Sequence, residues 1–253
     1  MIPQIFKIGP LPINSFGLMV ALAFFAGIYV LGRSFSRNGI SADLAEKYVI
    51  SAAFSGLLGA RIWFVLIYHN ELNSSLFKAL ISDAGFVFYG GFLIGLLTLG
   101  IMTFIDKISI TSFLDSIGPT LALGYAIGRV GCQLSGDGDY GRVTSGVWGM
   151  SYSQGVVPTP PGVLVIPTPV YESILSLAIF FILYRVETNR TFKKPLSYFG
   201  LYLVLMSVER FLIEFIRIED RYIYNLSEAQ FIAIGLFLAG IALVSRSFTP
   251  VKS

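Results

Sequence analysis

Seven runs of about twenty mostly apolar residues, separated by short polar stretches, constrain this chain more than any other feature. Their boundaries read as 14–32, 48–68, 86–105, 112–131, 168–186, 197–217 and 229–246. A helix of that length covers the hydrocarbon core of a bilayer, and a membrane-spanning backbone must satisfy its polar groups internally. Composition agrees: 55% of the residues are hydrophobic and 13% are charged, against about 25% charged in soluble domains. The expected fold is all-α, a polytopic membrane protein of about seven transmembrane helices with an outer-side loop region between helices 4 and 5.

Several function classes drop out. The net charge of +3 is small and the basic residues cluster in loops rather than on one face, which argues against nucleic acid as a partner. One cysteine, Cys132, excludes an internal disulfide framework or a multi-cysteine metal site, and one histidine, His69, argues against a histidine metal centre. No metal and no cofactor are expected. His69 reads as a solvated loop residue and Cys132 as a small packing residue. The N-terminus lacks the pattern of a cleavable signal peptide, and no cysteine follows the first apolar run, so the first span is expected to stay in the membrane. No repeat or boundary divides the chain, which is expected to form a single domain over 1–253.

Orientation follows from Lys and Arg. The loops after spans 1, 3 and 5 hold Arg33, Arg37, Lys47, Lys107, Arg190, Lys193 and Lys194, and the tail holds Arg246 and Lys252. The opposite side holds Lys7, Lys78, Arg142 and Arg221. The N-terminus is therefore expected outside and the C-terminus in the cytoplasm. The longest connection, 132–167, then lies on the outer side, and long connections of this kind are usually functional or flexible.

Charged residues inside apolar runs carry the chemistry. A charge near the centre of a spanning helix costs roughly 2.5–3.5 kcal/mol on insertion scales, so such residues face a cavity or a partner. The segment Gly128–Arg142 gathers Arg129, Arg142, Asp137, Asp139 and five glycines in fifteen residues. Glycines let backbone N–H groups approach an anion, and a planar guanidinium grips phosphate bidentately. The segment reads as a site for a phosphate-bearing lipid at the membrane surface, with Arg129 the foremost contact. In span 6, Arg210, Glu214 and Arg217 are spaced i, i+4, i+7 on one helix face. They read either as a structural ion pair with Arg217 reaching the interface, or as a guanidinium lining a phosphate pocket and positioned by Glu214. Arg61, among small residues in span 2, is a partner for Glu214 or Glu172. Gly90 and Gly91 open span 3 beside Tyr89, which is either an interfacial tyrosine or a proton shuttle. Glu172 follows Pro169 at the start of span 5.

These residues together resemble the prolipoprotein diacylglyceryl transferase family. The matching elements are Gly128-Arg129-x-Gly131 leading to Gly136, Asp137 and Gly141-Arg142, with Tyr89-Gly90-Gly91, Gly59-x-Arg61, Pro167-x-x-x-Tyr171-Glu172 and Arg210-x-x-x-Glu214-x-x-Arg217 in the family's order. Asn14-Ser15-Phe16-Gly17-Leu18-Met19 resembles the family's first span. The resemblance implies an enzyme of the bacterial inner membrane whose active site opens to the outer leaflet. It implies transfer of diacylglyceryl from phosphatidylglycerol to the lipobox cysteine of a preprolipoprotein, forming a thioether and releasing glycerol phosphate. On the same ground Arg129, Arg210, Tyr89 and Glu214 are the expected catalytic residues. Arg61, Gly90, Gly91, Gly131, Asp137, Gly141, Glu172 and Arg217 are expected to bind substrate.

The chain departs from the family at defined points. Histidine is common where Tyr89 stands and at Ile166, tyrosine at Phe16, and asparagine at Cys132 and Ser135. One extra residue makes Asp137 and Asp139 competitors for the acidic position. The missing histidines raise a rival reading, a catalytically inactive lipid- or lipoprotein-binding homologue. A small-solute transporter is a further rival, but the internal duplication expected of one is not visible.

Overall fold

The structure is a computed structural model that describes residues 1–9, 11–68, 85 and 87–248. His69, Lys78 and Lys252 lie outside the described residues. Seven long helices stand where the seven apolar runs were read: α1 (Ser15–Arg37), α2 (Leu44–Tyr68), α3 (Phe88–Ile105), α4 (Ile110–Ser135), α5 (Thr168–Thr188), α6 (Ser197–Ile213) and α7 (Glu228–Ser245). By length and composition α1, α2, α5 and α7 suffice to cross a membrane. Helix α3 is apolar but shorter, and α4 and α6 carry the polar residues of the site described below.

One element departs from the all-helical expectation. Residues Gln4–Ile8 and Leu11–Asn14 form an antiparallel two-stranded hairpin, β1 and β2, ahead of α1. The segment alternates too briefly to be recognised as strand. The Ile2 amide donates to the Leu134 carbonyl at 2.8 Å, which ties the hairpin to the end of α4.

Helix α1 packs on α4, α2 on α3, α4 on α5 and α6 on α7. Small residues set these contacts, as expected where lipid tails give helices no hydrophobic reason to associate. A Cβ on Gly90 would run into the Trp63 side chain, and one on Gly59 would lie 2.8 Å from the Gly90 carbonyl. One on Gly91 would lie 2.7 Å from the Gly56 carbonyl. Gly200 and Gly240 make the same kind of contact between α6 and α7. Gly131 faces Phe16 and Met19, joining α4 to α1.

Helix alternation places the ends that carry Arg37, Lys47 and Asp106 together at one face of the bundle, where Lys47 Nζ lies 2.8 Å from Asp106. Just inside it Phe35, Tyr48, Met102 and Phe113 form an apolar core. Glu187, buried at the end of α5, accepts from Ser34 (2.8 Å), Arg37 (3.0 Å) and Asn38 (3.0 Å) of α1. Buried Asp115 of α4 reaches across to the start of α6, where Leu196 is left-handed (φ 67°), and accepts the Leu196 and Phe199 amides at 2.6 and 2.9 Å. A helix start has amides with no partner of its own, and here a neighbouring helix supplies the acceptor.

Asp115→Ala leaves two part-buried amides without an acceptor, at about 1–3 kcal/mol. The melting temperature of the purified protein in detergent is expected to fall by several degrees; an unchanged value would show that the cap contributes nothing.

Candidate active site

The opposite face of the bundle is built from three helix ends and one long connection. Helix α4 runs through Arg129 and stops at Gly136, a left-handed residue (φ 61°, ψ 54°) whose amide returns to Cys132. The connection that follows is ordered against α4. Val156 and Val157 donate to the Ser135 and Gly136 carbonyls, and buried Tyr152 donates to Gln133 at 2.6 Å. The Gly141 amide donates to Ile166, and Gly141 forms an antiparallel bridge with Arg217. A Cβ on Gly141 would strike the Ile216 carbonyl, so this strand-like contact needs glycine.

Helix α6 ends at Ile213, not at 217 as the apolar run suggested. Glu214 is its C-cap, and Phe215 and Ile216 continue as a tight turn, donating to Leu212 and Ile213. Pairing with Gly141 takes Arg217 out of the helix. Arg210, Glu214 and Arg217 still converge, but Arg217 arrives through a turn rather than along a helical stripe.

Glu172 is the hub. It is fully buried one turn into α5. Tyr125 donates to it at 2.9 Å. Three guanidiniums approach it: Arg129 at 3.2 Å, Arg210 at 3.5 Å and Arg217 at 3.7 Å. Arg210 also pairs with Glu214 at 3.0 Å, and Arg217 lies 3.9 Å from the same carboxylate. Asp139 joins Arg129 to Arg217, pairing with the first and lying 3.0 Å from the second. Arg221 donates to the Glu214 carbonyl at 2.9 Å, and Arg217 also reaches Glu219 at 3.3 Å. Three arginines thus share four carboxylates, Asp139, Glu172, Glu214 and Glu219, and their positive charge is compensated. Several contacts lie at ion-pair distance without hydrogen-bond alignment, since Arg217 Nε and Nη1 donate no hydrogen bond among the described residues. Those N–H groups keep directional capacity for an anion.

Two spaces adjoin the cluster. An apolar cavity of about 490 Å³ runs inside the bundle, lined among others by Phe24, Leu31, Phe113, Tyr125, Tyr202 and Met206. Its lining spans Phe113 to Gly128 on α4, about 22 Å at 1.5 Å per residue. A polar pocket of about 210 Å³ includes Tyr89, Arg210, Glu214, Glu219 and Asp220. The arginines stand between a space for hydrocarbon and a space for polar groups.

The expected site residues divide into two groups. Arg129, Arg210, Glu214, Glu172 and Arg217 meet in one cluster, and Tyr89 lines the pocket beside Arg210. Of the two competing aspartates, Asp139 is the one that pairs with the arginines. Asp137 instead accepts the Asp139 amide at 3.4 Å in a local turn. Gly90, Gly91 and Gly131 serve helix contacts rather than an open anion nest, and Gly141 serves the bridge to Arg217. Arg61 is buried in α2 and donates to the Gly85 carbonyl at 2.9 Å, so its place is near the approach to α3. Tyr125 and Arg221 were missed. A tyrosine one helical turn before Arg129 was a usable signal for the first, whereas Arg221 acts through a backbone carbonyl that no pattern marks.

A sequence model described as prolipoprotein diacylglyceryl transferase matches residues 3–246. The chain is 31% identical over 229 residues to the phosphatidylglycerol–prolipoprotein diacylglyceryl transferase of Leptospira interrogans serogroup Icterohaemorrhagiae serovar copenhageni, covering 81% of this chain and 72% of the relative. Proteins of the same name from Clostridium tetani and Geobacter sulfurreducens are 28% and 29% identical over 245 and 257 residues. They cover 95% and 96% of this chain, and 96% and 95% of their own lengths.

Burial opposes the charged form of Asp139, but Arg129 and then Arg217 outweigh it and hold the carboxyl below the usual carboxylate range. A carboxyl lowered on folding adds stability above its unfolded value, about 3.9 for aspartate, and that contribution is lost as the pH falls through the folded value. Acidification is therefore expected to lower the melting temperature of the wild type more steeply than that of Asp139→Asn, which should already be less stable at neutral pH. Asp137→Asn should behave like the wild type. Equal steepness in all three would remove Asp139 from the cluster.

Proposed function

The chain belongs to the prolipoprotein diacylglyceryl transferase family, and on that premise we propose that it moves the diacylglyceryl group of phosphatidylglycerol onto the lipobox cysteine of a preprolipoprotein. It does so as a single domain in the bacterial inner membrane, with its N-terminus outside, its C-terminus in the cytoplasm and the arginine cluster at the outer leaflet. The observation that carries this reading is the series of apolar cavity, three convergent guanidiniums and polar pocket. That order matches an amphiphile whose tail, phosphate and polar headgroup follow one another.

The substrate thiolate attacks the glyceryl carbon that bears the phosphate. A C–S bond forms, the C–O bond breaks, and glycerol phosphate leaves with the electron pair and one more negative charge than the phosphodiester carried. Arg129 and Arg210 clamp the phosphate where that charge develops, in a site already partly stripped of water. Glu214 fixes Arg210, while Glu172 and Asp139 fix Arg129 and Arg217. The resting ion pairs hold the guanidiniums in place with their charge compensated, and an arriving phosphate takes over some of their N–H groups. A free thiol has a pKa of about 8.5, so its proton needs an acceptor. Tyr89, in the polar pocket beside Arg210, is the residue proposed to relay it where relatives often use histidine.

Incubation of the purified protein with phosphatidylglycerol and a lipobox peptide should add one diacylglyceryl mass to the peptide and release an equal amount of glycerol phosphate. Bound lipid with no product would instead support the inactive homologue. Arg129→Gln or Arg210→Gln should lower turnover by at least about 100-fold, and lysine at either position should rescue poorly because it lacks the planar fork. Near-normal turnover in both glutamine variants would rule out the clamp. Tyr89→Phe should lower turnover by about 100-fold or more; full activity would exclude the relay.

A further inference from the structure

Glu209 has no part in the chemistry above, yet it is 3% exposed and neither carboxyl oxygen has a hydrogen-bond partner among the described residues. It lies in α6 at the last turn before Glu214. Tyr202, Met206 and Glu209 are spaced i, i+4, i+7 and share one helix stripe, and the first two line the apolar cavity. Its charged neighbours are Glu172, Arg210, Arg129 and Arg217, and Tyr125 and Tyr202 stand within electrostatic reach. The side chain therefore occupies the junction between the hydrocarbon cavity and the arginine cluster.

Two considerations define its form there. An ionised carboxylate buried with no hydrogen bond is far more costly than the neutral acid. Arg129, Arg210 and Arg217 are already paired with Asp139, Glu172, Glu214 and Glu219, so a further carboxylate beside them gains little by being ionised. A neutral carboxyl has one O–H to donate. With hydrocarbon in the cavity and phosphate on the arginines, as proposed above, the part of the lipid at the junction is its glyceryl diester, which offers carbonyl acceptors.

Resting on that reading of the site, we infer that Glu209 is a specificity residue: as a neutral acid it donates a hydrogen bond to an ester carbonyl of the lipid, selecting ester-linked over ether-linked glycerophospholipids. An ether lipid has the same tails and phosphate but no carbonyl, so it leaves the buried O–H unpaired.

Equal amounts of diacyl and dialkyl phosphatidylglycerol with matched chains compete for the full chain in detergent, and native mass spectrometry reads the bound ratio. The wild type should prefer the diacyl lipid by about five- to tenfold, the worth of one hydrogen bond. Glu209→Gln keeps a donor and should keep the preference. Glu209→Met should bring the ratio to about one, and it should melt no lower than the wild type because an unpartnered buried carboxyl has been removed. Equal binding by the wild type, a preference that survives in Glu209→Met, or its loss in Glu209→Gln would each overturn the inference. Peptide transfer by the wild type is measured in parallel. Its absence alongside a Glu209-dependent ester preference would refute the transferase reading and leave this one standing. Normal transfer without that preference would do the reverse.

Discussion

The burial of Glu172 is the constraint on which the site depends. A carboxylate with no exposure in a membrane protein requires cations at close range, and this one draws them from α4, the end of α6 and the turn beyond it. Each arginine in turn needs a second anion, which Asp139 and Glu214 supply. The result is a closed exchange of charges among segments distant in sequence, so the helix ends must lie where they do for any member to be satisfied. Breaking one pair leaves a buried charge uncompensated, which costs far more than the pair itself contributes.

The two faces of the bundle handle buried polar groups in opposite ways. At the Lys47–Asp106 face, Glu187 is bonded by three side chains and Asp115 by two amides. Those networks are complete and hold helices together. At the other face, Arg217 and Glu209 keep buried atoms without hydrogen bonds. Among the described residues, the unpartnered buried groups that can carry charge, on Glu172, Glu209, Glu214, Arg217 and Arg221, lie at the site face, whereas those elsewhere are hydroxyls such as Tyr48 and Ser176.

Much of this was legible in the sequence, for physical reasons. Hydrocarbon thickness fixes span length, so all seven helices could be drawn, and the cost of a buried charge singled out Arg129, Arg210 and Glu214. The family resemblance rested on the same residues. The hairpin before α1 was not legible, because two short strands leave too few residues for a period to emerge. The end of α6 was missed because apolar residues continue to 216, while the cause of termination, a bridge from Arg217 to Gly141, is a contact between residues far apart. Asp139 rather than Asp137 emerged only once Gly136 had stopped α4 and set the phase of the turn. Glycines beside charged residues suggested anion binding, and several of them instead bring helix backbones together.

That use of glycine has a consequence for how such a chain can vary. Gly59 touches the backbone of Gly90, Gly90 abuts Trp63, and Gly91 lies against Gly56. Gly59, Gly90 and Gly91 cannot enlarge unless their opposite numbers recede. Tyr89 is carried on the same turn as Gly90, so drift at the lipid-facing seam between the two helices would be felt in the polar pocket. The residues of that seam are therefore expected to change in matched pairs across lineages, under a constraint that has nothing to do with touching substrate.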